Sequence, residues 1–242
     1  MLKLPIMKTK EVDPHEENTT IAYLVKLALL SAVIVLMAFT PLGYLRVGAL
    51  SITFLVVPVT VGAIVLGPFG GMILGAIFGI TSFVQCFGID AFGTTLFAIN
   101  PIFTFLFCIP TRMLMGLFTG LTFKAMSSSK KKGVRISSVF VTSALGPLFN
   151  TVLFMTTLCL CFYNTDYIQG FVTELHAANP FTFVVLFVGI NGAIEIAVDF
   201  IVCSIASTAI LSAESRKPSN GYVKTEVKIV SNGSKEKEDK KQ

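Results

Sequence analysis

The chain has 242 residues, of which 53% are apolar and only 14% charged, and its mean hydropathy is +0.77. These values exclude an ordinary water-soluble domain and place the chain among integral membrane proteins. The net charge of +5 does not mark a nucleic-acid binder, because the Lys and Arg residues sit almost wholly in the two termini and one loop, which is a pattern of membrane topology.

Residues 1–20 form a polar segment carrying Lys3, Lys8, Lys10, Glu16 and Glu17. The first apolar run follows, from about Leu24 to Phe39. No small-residue cleavage site follows it, so it is expected to be a retained helix and not a signal peptide. No charge occurs between Arg46 and Asp90 or between Arg135 and Asp166, and each interval is long enough for a helix to cross roughly 30 Å of hydrocarbon. The first interval holds two predicted spans, Ile52–Leu66 and Phe69–Phe87, parted only by Gly67 and Pro68. A fourth runs from Pro101 to Phe123, a fifth from Ile136 to Phe162 and a sixth from Phe181 to Leu211. The expected fold is therefore an all-α membrane protein, a bundle of six transmembrane helices over residues 21–212. The Lys/Glu/Ser/Asn-rich residues 213–242 are expected to be a disordered basic tail, because they cannot bury enough apolar surface to offset the entropy of ordering them.

Positive charge is retained on the cytoplasmic side during insertion. The N-terminal segment, the Lys124–Arg135 loop with its Lys130-Lys131-Lys132 run, and the tail from Arg216 hold nearly all the basic residues and fall on one face of a six-span arrangement. That face is expected to be cytoplasmic, with both termini on it, in the cell membrane. The opposite connections, Thr40–Ser51, Gly88–Asn100 and Tyr163–Pro180, carry Asp90, Asp166 and Glu174 but only Arg46 as a basic residue.

An ionisable side chain in the membrane interior costs about 2.5–3.5 kcal/mol on insertion scales, so one that persists faces the bundle interior or a cavity. Arg112, Glu195 and Asp199 qualify. The planar guanidinium of Arg112, midway along the fourth span, suits a carboxylate; it either binds a ligand or forms a structural ion pair with Glu195 or Asp199. Asn191, Glu195 and Asp199 recur every fourth residue and so share one face of the sixth span. Asn191 and Glu195 lie nearer the outer end, where a substrate would sit. Asn150 in the fifth span and Asn100 at the outer mouth of the fourth add amide donors and acceptors, against the alternative that such residues only join helices. Tyr44, in the first outer connection, could close over a ligand or simply anchor at the interface.

Gly67, Gly71, Gly75 and Gly79 repeat at four-residue spacing, and Arg112, Gly116 and Gly120 do likewise. Small residues on one stripe let helices approach closely in lipid, so both stripes are read first as packing surfaces. Ala28-x-x-x-Ala32 is a weaker signal of the same kind. The five cysteines lie in apolar runs without Cys-x-x-Cys spacing and are read as core or lipid-facing residues. No Gly-Lys dipeptide, His-Glu-x-x-His or Gly-x-Ser-x-Gly occurs, so neither an ATPase, a metal centre nor a hydrolase is expected, and no cofactor.

The run Leu42-Gly-Tyr-Leu-Arg-Val-Gly-Ala-Leu-Ser-Ile-Thr-Phe, then Ile64-Val-Leu-Gly-Pro-Phe-Gly-Gly, Asn100-Pro-Ile and Pro110-Thr-Arg-Met-Leu-Met-Gly, resembles the substrate-binding S components of energy-coupling factor transporters. The similarity continues through Asn150-Thr-Val-Leu-Phe and Asn191-Gly-Ala-Ile-Glu, covers roughly residues 20–212, and is strongest to pantothenate-type members. It implies a six-helix bundle that captures a vitamin from outside and docks on a transmembrane coupling subunit with two ATPases, which would do the hydrolysis. It also implies that Ala28 and Ala32 face the coupling subunit. Pantothenate has one carboxylate, hydroxyls and an amide, to which Arg112 and the polar set Asn100, Asn150, Asn191 and Glu195 are chemically suited. Rival expectations are an S component for folate, riboflavin or a queuosine precursor, which the lack of Trp disfavours, and a solitary secondary transporter with Glu195 and Asp199 as proton carriers. A purely structural membrane subunit is a third.

Overall fold

The computed structural model describes residues 14–41, 43–47, 50–127 and 132–216. The expectations for residues 1–13, for the Lys130-Lys131 part of the basic loop and for the tail from 217 onward lie outside them. Among the described residues, seven helices and one short hairpin follow in order: α1 (Pro14–Ala38), β1 (Tyr44–Val47), β2 (Leu50–Thr53), α2 (Val56–Gln85), α3 (Ala91–Ile99), α4 (Pro101–Met126), α5 (Lys132–Phe162), α6 (Asp166–Glu174) and α7 (Pro180–Arg216). Among the described residues, five helical segments are long and apolar enough to cross a membrane: Thr20–Ala38, Val56–Gln85, Pro101–Met126, Ser137–Phe162 and Gly192–Ile210.

Three expectations are corrected. The second span begins at Val56 and not Ile52, because Leu50–Thr53 pairs antiparallel with Tyr44–Val47 in the register Tyr44 to Thr53 and Val47 to Leu50. The sixth span is not one uninterrupted helix. Gly189 leaves the helical region (φ 45°, ψ −139°), which divides α7 into a short apolar piece, Pro180–Gly189, and the spanning segment from Gly192. Helix also continues beyond Leu211 to Arg216, into the expected tail.

The two predicted spans flanking Gly67-Pro68 run together as α2, yet Gly67 (φ 81°, ψ −174°) breaks the helix. A left-handed φ suits glycine, and the following proline cannot donate an N–H to continue the ladder. The arms on either side fold against each other. A Cβ added at Gly71 would lie 2.7 Å from the Ala63 Cβ, and one at Gly62 would meet the Leu74 side chain. Along a straight helix, positions twelve apart would stand about 18 Å apart, so the chain reverses at Gly67.

Against the second arm packs α4. A Cβ at Gly75 would run into the Arg112 carbonyl and one at Gly79 would lie 2.7 Å from the Ile109 Cα. On the facing helix, a Cβ at Gly116 would meet the Gly71 carbonyl and one at Gly120 would lie 2.5 Å from the Pro68 Cα. The two glycine stripes therefore form one seam of backbone against backbone, the close approach that small residues permit in lipid. Gly67 is the turn and closes one end of the seam, its carbonyl carbon 3.1 Å from a Cβ at Gly120.

At one end of the bundle the hairpin, α3 and α6 come together. The Phe92 ring of α3 lies 5.8 Å from Tyr167 and 6.3 Å from Phe171 of α6, and 6.0 Å from Phe187 of α7. Leu96, Leu158, Phe162, Ile168 and Phe183 complete this outer core. A second core, around Ile34, Leu55, Val59, Leu74, Phe78 and Met115, joins α1, α2 and α4 below it. Large apolar side chains elsewhere, such as Leu29, Leu36, Phe69, Ile102, Leu160 and Ile205, are exposed as lipid-facing residues are.

Candidate functional site

Arg112 lines a cavity whose wall shares Cys86, Phe92, Phe107, Cys108 and Met155 with the first core. Its side chain is 6% exposed. Nη1 donates to the carbonyls of Phe107 (3.0 Å) and Cys108 (3.3 Å) and lies 3.3 Å from Thr111 Oγ1. The guanidinium carbon sits 5.0 Å from the ring centre of Phe78, 5.4 Å from Phe154 and 5.8 Å from Phe107. Nε has no hydrogen-bond partner, and no carboxylate pairs with the guanidinium among the described residues. The ion pair with Glu195 or Asp199 weighed from the sequence is therefore not made. Glu195 Oε1 and both Asp199 oxygens are buried without a partner.

The cavity has a volume of about 110 Å³. Arg112 from α4, Asn150 from α5, Glu195 from α7 and Tyr44 from β1 all line it, so four of the six substrate-site residues picked from the sequence meet in one place. Helical periodicity explains the inward aim of Arg112 and Asn150, since each shares a face with residues that pack the interior. Thr53 brings β2 against Glu195, whose carboxylate faces the Thr53 backbone. The Tyr44 hydroxyl is buried without a partner, and burial pushes its pKa up to about 12. The phenol is thus neutral at the cavity wall.

Asn100 is not in the cavity. Its side-chain oxygen accepts from the N–H groups of Ile102 and Phe103, both at 3.1 Å, and caps α4 with Pro101 at the first helical position. Asn191 lies in α7 just past the break at Gly189, and its side chain is outside the described residues. Ala28 and Ala32 are exposed on the outer face of α1, away from the cavity. Asp199 is fully buried below it.

Several lining residues went unread in the sequence. Gln85 lines the cavity and donates to the Ala38 carbonyl, tying the end of α1 to α2. Asp90 caps α3 through the Gly93 N–H (2.7 Å), which an Asp ahead of an apolar run does signal, but its place in the cavity wall is set by the chain reversal after Gln85. Cys86 and Cys108 bring their sulfurs to 3.8 Å of each other in the same wall. Among the described residues no three His, Cys, Asp or Glu side chains converge on a point that could hold a metal ion. The arrangement offers one cationic fork, the amides of Asn150 and Gln85, a phenol and the carboxylates of Glu195 and Asp90 among aromatic walls, which is equipment for holding a small polar molecule.

Comparison with known proteins follows the same line. A family model described as the substrate-specific component of ECF transporters matches residues 22–207. The chain is 31% identical over 140 residues to the pantothenate transporter PanT of Leuconostoc mesenteroides subsp. mesenteroides, an alignment covering 56% of this chain and 67% of that protein.

Proposed function

The chain belongs to the family of substrate-specific components of ECF transporters, and from that premise we propose that it captures pantothenate in the cavity around Arg112. Membership makes it a multi-pass membrane protein and the substrate-binding subunit of a transporter rather than an enzyme. The observation that carries the substrate reading is the buried guanidinium itself, a cation in the membrane interior with no carboxylate partner among the described residues and with donors to spare at a cavity wall. A ligand carboxylate completes it, since a planar fork and a carboxylate match in geometry as well as charge. Asn150, Glu195 and Tyr44, with Asn191 beside them on α7, serve the hydroxyls and the amide. The similarity to a pantothenate transporter supports the same choice.

In this reading the two arms of α2 count separately, giving six spans with both termini cytoplasmic, and the cavity end formed by the hairpin, α3 and α6 faces outward. Ala28 and Ala32 on the exposed face of α1 meet the transmembrane coupling subunit, and two ATPase subunits supply the energy.

The test is binding of labelled pantothenate to the purified chain in detergent, beside a panel of other vitamins. Wild type is expected to bind and Arg112→Ala to lose about 2–5 kcal/mol of affinity, as when a buried charge pair loses one partner. A folded protein that ignores pantothenate but takes folate, riboflavin or a queuosine precursor would replace the substrate and keep the family role. A carrier working alone by proton coupling has one observation on its side, the fully buried and partnerless Asp199 on the same helix as Glu195. Uptake that survives a protonophore and stops without the ATPase subunits excludes it.

A further inference from the structure

Something other than an acid holds the Arg112 charge in place, and the geometry points to the three rings around it. We infer that Phe78, Phe107 and Phe154 form a π cage that positions the guanidinium at the cavity wall without a carboxylate paired to it, so that these rings set the selectivity for an anionic ligand. The inference rests on the reading of Arg112 as the carboxylate receptor, and extends it to residues that touch the receptor instead of the ligand's carboxylate.

Each ring comes from a different helix, Phe78 from α2, Phe107 from α4 and Phe154 from α5, and the three ring centres lie 5.0–5.8 Å from the guanidinium carbon. All are within the distance at which a cation is drawn to the negative face of a ring. Phe107 and Phe154 also lean on each other, with centres 4.4 Å apart and planes tilted by 48°, and Phe78 is fully buried, so the rings hold one another on the side away from the cavity that Phe107 and Phe154 line. The Phe107 and Cys108 carbonyls take only Nη1, which stops the fork from turning and leaves Nε unused.

The alternative way to keep an Arg in a membrane is a carboxylate paired to it, and Glu195 and Asp90 both line the same cavity without pairing with Arg112 among the described residues. A formal negative charge would cancel the field that an anionic ligand feels, and a ligand would have to displace it. Aromatic quadrupoles attract the cation while adding no net charge. The cage therefore stabilises the empty site without competing for the carboxylate. Phe78, Phe107 and Phe154 are positioning residues by this argument.

The experiment replaces Phe154 with phenylalanines carrying successively more ring fluorines, which drain the negative face while nearly preserving shape, and measures the Kd of pantothenate and of pantothenol, its analogue with an alcohol in place of the carboxylate. The expected result is a stepwise loss for pantothenate of about tenfold in total, with the pantothenol Kd unchanged and with no fluorine dependence in Arg112→Ala. Equal losses for both ligands, or no dependence on fluorine while Arg112→Ala does weaken pantothenate, would overturn the cage and leave the role of Arg112 standing. Wild type that fails to bind pantothenate sinks the substrate instead. The cage is then judged by melting temperature alone, where fluorination is expected to destabilise wild type and not Arg112→Ala, and equal shifts in the two would reject it.

Discussion

The helix α1 and the second arm of α2 are both apolar enough to cross a membrane, yet they are used in opposite ways. In the spanning window of α1 only 11% of the residues are buried, against 44% in α2 and in α4. The difference lies in glycine. The second arm of α2 presents Gly71, Gly75 and Gly79 to the backbone of α4, while α1 has no glycine between Pro14 and Ala38 and leaves Leu24, Val25, Leu29 and Leu36 more than half exposed. Hydropathy decides that a segment enters the bilayer. Side-chain size decides whether it then faces protein or lipid, because in lipid the gain comes from close packing and not from escaping water.

That contrast can be broken most severely at Gly75. In Gly75→Leu the new Cβ would run into the Arg112 carbonyl, backbone that cannot turn aside. A loss of about 3 kcal/mol or more is expected in thermal unfolding in detergent, together with weakened ligand binding because the strain falls on the Arg112 turn. Unchanged melting would show that the seam opens freely. A smaller effect of opposite sign is expected deeper in the bundle. Asp199→Asn removes an ionisable carboxyl whose two oxygens have no partner and should raise stability by about 1 kcal/mol in the same assay. A fall in stability would reveal a partner for the carboxylate.

Tyr44→Phe should leave stability within about 0.5 kcal/mol, since the hydroxyl has no bond to lose, while the Kd for pantothenate rises roughly threefold to tenfold if the phenol donates to ligand. With its pKa raised to about 12 by burial, the phenol stays protonated through the neutral range, so it contributes no pH dependence to binding there. The smallest stability effect sharpens the comparison from the other side. The pair Ala28→Leu and Ala32→Leu, on the exposed face of α1, should melt and bind within about 0.5 kcal/mol of the parent. Uptake with the coupling subunit and ATPases present should nevertheless fall away. Intact uptake would remove the two alanines from the interface.

Much of this was readable beforehand where the cause is local. Hydropathy marked α4 from Pro101, the charge-free interval after Arg135 marked α5 closely, and Gly67-Pro68 marked the reversal inside α2, where the glycine takes a left-handed φ and the proline cannot donate an N–H, whereas Gly146-Pro147 stays inside the unbroken α5. Asn100 shows a local signal given the wrong weight. Asn followed by proline at the start of an apolar run is a helix cap, and the cap uses up the oxygen that was offered to a ligand. The hairpin over Tyr44–Thr53 was hidden by its apolar residues, which served equally as the start of a span, and the break at Gly189 carries no proline to announce it.

By itself the sequence determined the solvent of this protein, the number of charges it could tolerate inside, and the candidate side chains for its chemistry, because each of these depends on composition and on periodicity along one element. Only the tertiary structure decided that Arg112 meets three rings instead of Glu195, that Tyr44 turns its hydroxyl inward, and that the two glycine stripes face one another. Those outcomes rest on distances between residues far apart in the chain, which follow from how close two backbones can approach and which no single helix records.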